Sequence, residues 1–456
     1  MALHVFVFLL VVCLLFSLVL LWRLDWFHFR PSSSRGGAKR TTLHRLLKPR
    51  CPDDCPACRL SCTNSSVVGP APAPVRPWCE VKSRRGAPNR VNTEGFACPN
   101  HLCPYFGITD DQIHALVGDG KHGHVERIQT FRCQACRTTF SVRRTTPLYR
   151  LKTPSHQIAM VLTALAEGLD PSAAERVFGF RQATITTWLA RAGEHAQTLH
   201  THYFCDLQLP HVQLDELRTR LRSYKQVVWL WLVIDPCTKI LPVLSVGPRT
   251  QNMAHTVIHS LRQILAPGFL PLFTSDGLNL YFYALTAHFG QWLQVGRRGR
   301  NVRRWQVAAG LIYGQVKKSY RCRKLVKVTH VMRLGTQADL TVALQRLGFS
   351  GRLNTAFIER VNLTVRHGVP ALARRTWATS QQVPHLLAHM EWWRAYYHFV
   401  RPHASLRVAF VQPRERGGKL VAQRYRQRTP AMAAGRTTRR WTARELLSCP
   451  LPPVSA

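Results

Sequence analysis

Gln213–Arg218 reads QLDELR and Val227–Asp235 reads VVWLWLVID, and the reading of these two stretches decides the fold. The first suits a short strand ending near Asp215, and the second is an apolar run of strand length rich in branched and aromatic residues. A turn leads to a third strand-like run, ILPVLSV (Ile240–Val246). An amphipathic helix follows (Thr250–Leu265), then a buried strand, LPLFTSDG (Leu270–Gly277), and another helix from Leu278. Three strands, a helix, a strand and a helix make a mixed α/β domain, with the first strand and the later parallel strand as neighbours. That pairing brings Asp215 towards Asp276, which stands where the buried strand stops.

A third carboxylate comes from FIERVNLTVRH (Phe357–His367). On a helix Glu359, Asn362 and Arg366 share one face, while Phe357, Val361 and Val365 take the face that docks on the sheet. Asp215, Asp276 and Glu359 at close range would repel one another unless a divalent cation sat between them, and hard cations such as Mg²⁺ or Mn²⁺ take oxygen ligands. Glu216 is expected on the opposite strand face from Asp215. Asp235 suits a turn cap, and Asp339, ahead of DLTVALQRL, suits a helix N-cap. The element order and the carboxylate set match an RNase H-like catalytic domain over 205–410.

Composition points to a polyanionic partner. The chain of 456 residues carries 63 Lys and Arg against 23 Asp and Glu, a formal charge of +40. A surplus of that size favours nucleic acid, because each cation meeting a phosphate releases condensed counterions. The 14 cysteines are mostly clustered before residue 140 at short spacing, which reads as metal binding rather than a secreted disulfide framework. Cys98-x4-Cys103 and Cys133-x2-Cys136 form two thiolate pairs suited to structural Zn²⁺ in a module over 96–150, packed by Phe131 and Phe140. His101 is an alternative to one of those cysteines. Cys51, Cys55, Cys58 and Cys62 are candidates for a second Zn²⁺ site, with Cys79 as an alternative ligand, inside a Cys-containing, Pro-rich linker over 31–95.

Over 151–200 the pattern predicts a helix-turn-helix. Ile158, Val161, Leu162, Leu165 and Leu169 recur at helical spacing, and Asp170-Pro171-Ser172 caps a second short helix with Ala174, Val177 and Phe178 facing inward. Gly179 supplies the turn. A third helix, Gln182 to Ala192, turns Ile185, Trp188 and Leu189 to the core and Gln182, Thr184, Thr186, Thr187 and Arg191 outward, placed to read a major groove.

At the front, Val5–Trp22 is an uncharged apolar run that at helical rise spans about 27 Å, enough for a transmembrane anchor within 1–30. The arginines and lysines that follow place the bulk of the chain on the cytoplasmic side. At the other end, 411–456 reads as a poorly ordered basic tail.

Taken together, the cysteine module, the helix-turn-helix, D-E … T-S-D-G … I-E-R-V-N-L-T-V-R and the ending EWWRAYYHFVRPHASL (Glu391–Leu406) resemble DDE transposases of the bacterial insertion-sequence-one type. The resemblance covers about 96–410. It implies a transposase acting on double-stranded DNA at element ends and target, in the bacterial cytoplasm or nucleoid, as a homo-oligomer. It also implies Asp215, Asp276 and Glu359 as the catalytic triad with Asn362 and Arg366 in support. The hydrophobic start and the first cysteine cluster depart from that pattern, and the basic insert Arg297–Arg333 reads as an added DNA-contacting element. A catalytically silent, membrane-tethered DNA-binding regulator and a structure-specific nuclease of the same fold are the rival expectations.

Overall fold

The computed structural model describes residues 75–81, 91–221, 227–294, 303–374, 376, 378, 380, 382–416 and 419–451. The predicted anchor at 5–22 and the cluster Cys51, Cys55, Cys58 and Cys62 lie outside the described residues, as does the side chain of Cys79. Among the described residues no helix is long and apolar enough to cross a membrane.

After a one-turn helix at Trp78–Val81 comes a three-stranded antiparallel sheet: β1 (Leu116–His122), β2 (Ile128–Cys133) and β3 (Thr139–Ser141). Phe131 and Phe140 are buried in it, as their positions beside the second cysteine pair suggest, with ring centres 6.0 Å apart.

Helices α1 (Ser155–Ala166), α2 (Pro171–Phe178) and α3 (Gln182–Tyr203) come next. Asp170 caps α2 by accepting from the Ser172 and Ala173 amides, and Gly179 closes it in the left-handed region at φ +74 that only glycine enters freely. Two expectations fail here. Val177 is 65 % exposed rather than inward, because α2 turns Ala174 and Phe178 to the core and Val177 away from it. The third helix runs eleven residues past Ala192, since His195, Ala196, Leu199 and His200 continue its buried stripe.

The main sheet has six strands in the order β11-β10-β7-β4-β5-β6. These are β4 (His211–Arg220), β5 (Val227–Ile234), β6 (Leu244–Gly247), β7 (Leu272–Asp276), β10 (Tyr313–Arg321) and β11 (Lys324–Leu334). β4 pairs parallel to β7 and β7 parallel to β10, while the other neighbours are antiparallel. β4 is longer than its short apolar core suggested, so Asp215 sits in its middle. The element order through α4 (Gln251–Ile264), β7 and α5 (Leu280–His288) agrees with the sequence reading.

Alternation along β4 and β5 feeds two cores. Trp231, Val233, Leu214 and Phe273 face α4 and α5, while Leu230, Leu232 and Ile234 face α7 (Ala356–Gly368) and α8 (Val383–Phe399). On α7 the docking residues are Ile358, Val361 and Val365. Phe357 is only half-buried, under the Lys239 ammonium, which corrects its expected place. α8 also lies against α1 and α3: Trp392 donates to the Leu162 carbonyl at 2.7 Å, and a Cβ on Gly193 would meet the Ala388 backbone at 2.4 Å. Only glycine permits that approach.

The basic insert is not a simple appendage. A small pair, β8 (Gly290–Gln294) and β9 (Arg303–Val307), precedes β10, whose first half is a buried strand of the main sheet. Beyond it β10 and β11 extend as an exposed ribbon. Asp339 sits at the third position of α6 (Gln337–Arg346), where it completes a capping box with the N-cap Thr336, rather than being the N-cap itself.

The tail is also more ordered than its Arg, Gln and Gly content indicated. β12 (Val408–Arg416) pairs with β13 (Lys419–Arg426), and the chain then folds back through a short helix, α9 (Ala443–Ser448). Ala431, Leu446 and Leu447 are fully buried in the core that holds α1 to α3. The signal was present: Thr442 and Glu445 form a capping box ahead of Leu446-Leu447.

Candidate functional site

The parallel pairing of β4 with β7 sets Leu214 opposite Ser275, so the next residue on each strand is an aspartate. Asp276 ends its strand and accepts from the Leu278 amide at 3.0 Å, which fixes its carboxylate at the strand-to-helix turn. Asp215 accepts from Asn362 Nδ2 at 2.7 Å and from the Glu216 amide at 2.9 Å. The α7 asparagine thus reaches the sheet carboxylate, and the two aspartates come together as their strand order required.

Glu216 joins them. Opposite Trp231, and so on the α5 side of the sheet, it still offers a carboxylate oxygen that lies within 4.8 Å of those of Asp215 and Asp276, all three mutually. The backbone places Glu216 on the expected face, and the length of its side chain brings the carboxylate back to the aspartates. Arg249 pairs with one Glu216 oxygen at 3.1 Å; the other is buried and makes no well-directed hydrogen bond, although the Tyr281 hydroxyl is near enough to favour the charge.

Electrostatics follow from this crowding. Burial, then the neighbouring Asp276 and Glu359 carboxylates, push Asp215 up to about 6 against the pull of Asn362 and the Glu216 amide. Burial pushes Glu216 up to about 7, with Asp276 and Asp215 adding and Tyr281 and Arg249 opposing. Three carboxylates so placed could bind a divalent cation, which would relieve their repulsion and occupy the buried Glu216 oxygen.

Glu359 stands apart from that set. It is ion-paired with Lys318 of β10 and accepts from the Thr355 hydroxyl at 2.6 Å. Burial acts to raise its carboxyl, but Lys318 and Thr355 outweigh it and hold it below the ordinary range. It is near enough to Asp215 to raise that group, yet its oxygens point to the lysine. Arg366 shares the same helix face, with its Nε buried and without a hydrogen-bond partner. Burial and Arg374 lower it while Asp215 favours its charge.

The cysteine module brings its four predicted residues together. Sγ of Cys98 lies 3.5 Å from Cys136, Cys103 lies 3.7 Å from Cys133, and all four sulfurs are within 4.8 Å of one another. All four are free thiols that could bind one metal ion. Burial raises Cys98, and pushes Cys103 up to about 11; for Cys136 burial is outweighed by hydrogen bonds from Thr138, which hold it down to about 6. His101 is exposed against the Phe106 ring and does not replace a cysteine.

On α3, Gln182, Thr184 and Thr187 are exposed and Thr186 is half-buried. The Thr186 and Thr187 hydroxyls donate back to the Gln182 and Ala183 carbonyls. Arg191 departs from its expected outward role: it donates to the Tyr149 carbonyl at 2.7 Å and ties the cysteine module to α3. No protein-family model matches the chain, and no curated protein is detectably similar to it.

Proposed function

We propose that the chain is a DDE transposase with an RNase H-like core, cleaving phosphodiesters at the ends of its DNA element and joining them to target DNA. The observation that carries this reading is the meeting of Asp215 and Asp276 on adjacent parallel strands, with Asn362 of the α7 helix bonded to Asp215. A divalent ion such as Mg²⁺ or Mn²⁺ held by Asp215 and Asp276, with Glu216 or Glu359 completing the set, would supply Lewis-acid stabilisation of the charge gathering on the phosphodiester oxygens.

The residues contribute in separate ways. Asn362 and the Glu216 amide hold the Asp215 carboxylate in one orientation. Arg366, with an unused Nε on the same face, suits a non-bridging phosphate oxygen. Glu359 enters the site when Lys318 releases it, and a DNA phosphate is the natural competitor for that lysine. Water then attacks phosphorus, the P–O3′ bond breaks and a 3′-hydroxyl leaves; in the second step that hydroxyl attacks a target phosphodiester and displaces the target strand's own 3′-oxygen, which leaves as a hydroxyl.

The sulfur spacing supports Zn²⁺ in the cysteine module, since thiolates about 2.3 Å from one tetrahedral ion lie about 3.8 Å apart. The exposed face of α3 around Gln182, Thr184 and Thr187 suits contact with duplex DNA, and joining two ends calls for at least a dimer. The Lys318–Glu359 pair favours one rival, a silent DNA-binding regulator in which the glutamate is only a structural anion.

The test is strand cleavage of a labelled duplex carrying the gene's flanking sequence with Mg²⁺, comparing wild type with Glu359→Gln. Cleavage by wild type and binding without cleavage by the variant support the transposase. Equal binding without cleavage by either selects the regulator.

A further inference from the structure

Three histidines meet where α4 packs on α5, away from the carboxylates and the cysteines. His255 and His259 are one turn apart on α4 and therefore share a face, the spacing by which helical His pairs chelate metal. His288 is the last residue of α5. Its ring centre lies 5.6 Å from that of His255 and 5.5 Å from that of His259. His255 Nδ1 and His288 Nε2 are both buried with no hydrogen-bond partner among the described residues. An unmade hydrogen bond at a buried nitrogen is costly, and two at one spot point to a missing partner.

We propose that His255, His259 and His288 form a binding site for a divalent transition-metal ion of the Zn²⁺ class, stapling α4 to α5. The spacing supports it. Two imidazoles bound to one ion at about 2.05 Å, each ring centre about 1.2 Å farther out, put their centres about 5.3 to 5.6 Å apart at ligand angles between tetrahedral and trigonal. The two separations to His288, 5.6 and 5.5 Å, match. As they stand, the ring nitrogens do not all lie within 4.8 Å of one another. Rotation of a ring about its Cβ–Cγ bond leaves the centre almost in place while exchanging which nitrogen faces inward, so the closure needs no backbone movement.

The chemistry agrees with the geometry. All three side chains are half-buried, so an ion can reach them from solvent. Imidazole nitrogen selects Zn²⁺, Co²⁺, Ni²⁺ or Cu²⁺ over Mg²⁺, which separates this site from the carboxylates. Three protein ligands leave one coordination position for water, and the site does not depend on the transposase reading.

The test uses the full chain with Zn²⁺ filling the cysteine cluster and excess Mg²⁺ over the carboxylates, titrated with Co²⁺ and followed by visible absorption. Wild type is expected to take up one equivalent with a d–d spectrum lacking sulfur charge transfer. His255→Gln and His259→Gln are each expected to weaken that uptake more than the ~10-fold that loss of an outer-shell partner causes. His330→Gln, at an exposed position on β11, is expected to leave it unchanged. Wild type taking up no Co²⁺, uptake that Mg²⁺ abolishes, or uptake by both α4 variants equal to that of wild type overturns the site. The wild-type titration decides the matter should a variant fail to fold.

Discussion

Glu126 ties three parts of the chain, and its removal has a calculable cost. Its carboxylate accepts from the Ser155 amide at 2.8 Å and the Ser155 hydroxyl at 2.6 Å at the start of α1, pairs with Arg143 at 2.5 Å, and receives Arg444 of α9 at 2.9 Å. Burial opposes its ionisation, but Ser155 and Arg143 outweigh it and hold the group down to about 2 from 4.5. That displacement corresponds to ~3 kcal/mol at full ionisation. Side-chain exposure of 21 % and Arg444 exposure of 57 % call for a discount, leaving roughly 1.5–2 kcal/mol for the charge. The folded value is depressed, so this stability is fully present above pH 4.5 and is lost as pH falls towards 2. Glu126→Gln keeps an acceptor for Ser155 and loses the two ion pairs. Urea unfolding at pH 7 should show it less stable by that amount, and the difference should vanish near pH 2. A variant within ~0.5 kcal/mol of wild type at pH 7, the range of an ordinary surface change, would refute the reasoning.

Buried histidines give an acid limit. Burial holds His195 and His389 down to about 4 and, with Lys239, His211 down to about 3, against 6.5. These depressed values contribute stability present above pH 6.5 and lost as pH falls towards 4, up to ~3 kcal/mol each, and thermal melts across that range should drop steeply. Chelation should melt the 91–142 module while the main sheet persists, followed by near-ultraviolet circular dichroism. Because burial raises Cys98 and Cys103, metal binding there should tighten as pH rises. Charge reversal of Lys324 or Lys327 on the exposed ribbon should weaken DNA binding and lower the salt slope by about 1 for each phosphate that the ribbon no longer neutralises, measured by fluorescence anisotropy.

The middle of the sheet was legible because its strands carried their own signals: an apolar run for β5, the short stretch QLDELR for β4, a buried run stopping at Asp276 for β7. What escaped was set by tertiary context. Tyr313–Val316 reads as part of a basic insert, and nothing local says that it pairs with Phe273–Asp276 inside the sheet. The C-terminal fold-back depends on Leu446 finding His195, 251 residues away, whose Nε2 meets the Leu446 carbonyl. Helical phase alone points Arg191 to solvent, and only the position of Tyr149 turns it inward.

Asp215, Glu216 and Asp276 also bear on why a chain with 63 cations places so few of them at one spot. Elsewhere its carboxylates are spent on identifiable tasks. Asp170, Asp339 and Glu445 cap helices, Asp235 accepts from the Cys237 and Thr238 amides in its turn, and buried Glu391 pairs with Arg394. At the clustered site the one ion pair among the described residues is Arg249 with Glu216, while Lys318, close at hand, goes to Glu359 instead. A stabilising design would neutralise three crowded acids with arginines that the sequence has in abundance. Left crowded, two of them are pushed up to about 6 and 7, so a cation from outside could bind there by displacing protons rather than an arginine. Under the proposed function, a small divalent cation would answer that charge, and the chain's 63 lysines and arginines would suit the polyanion on which it acts.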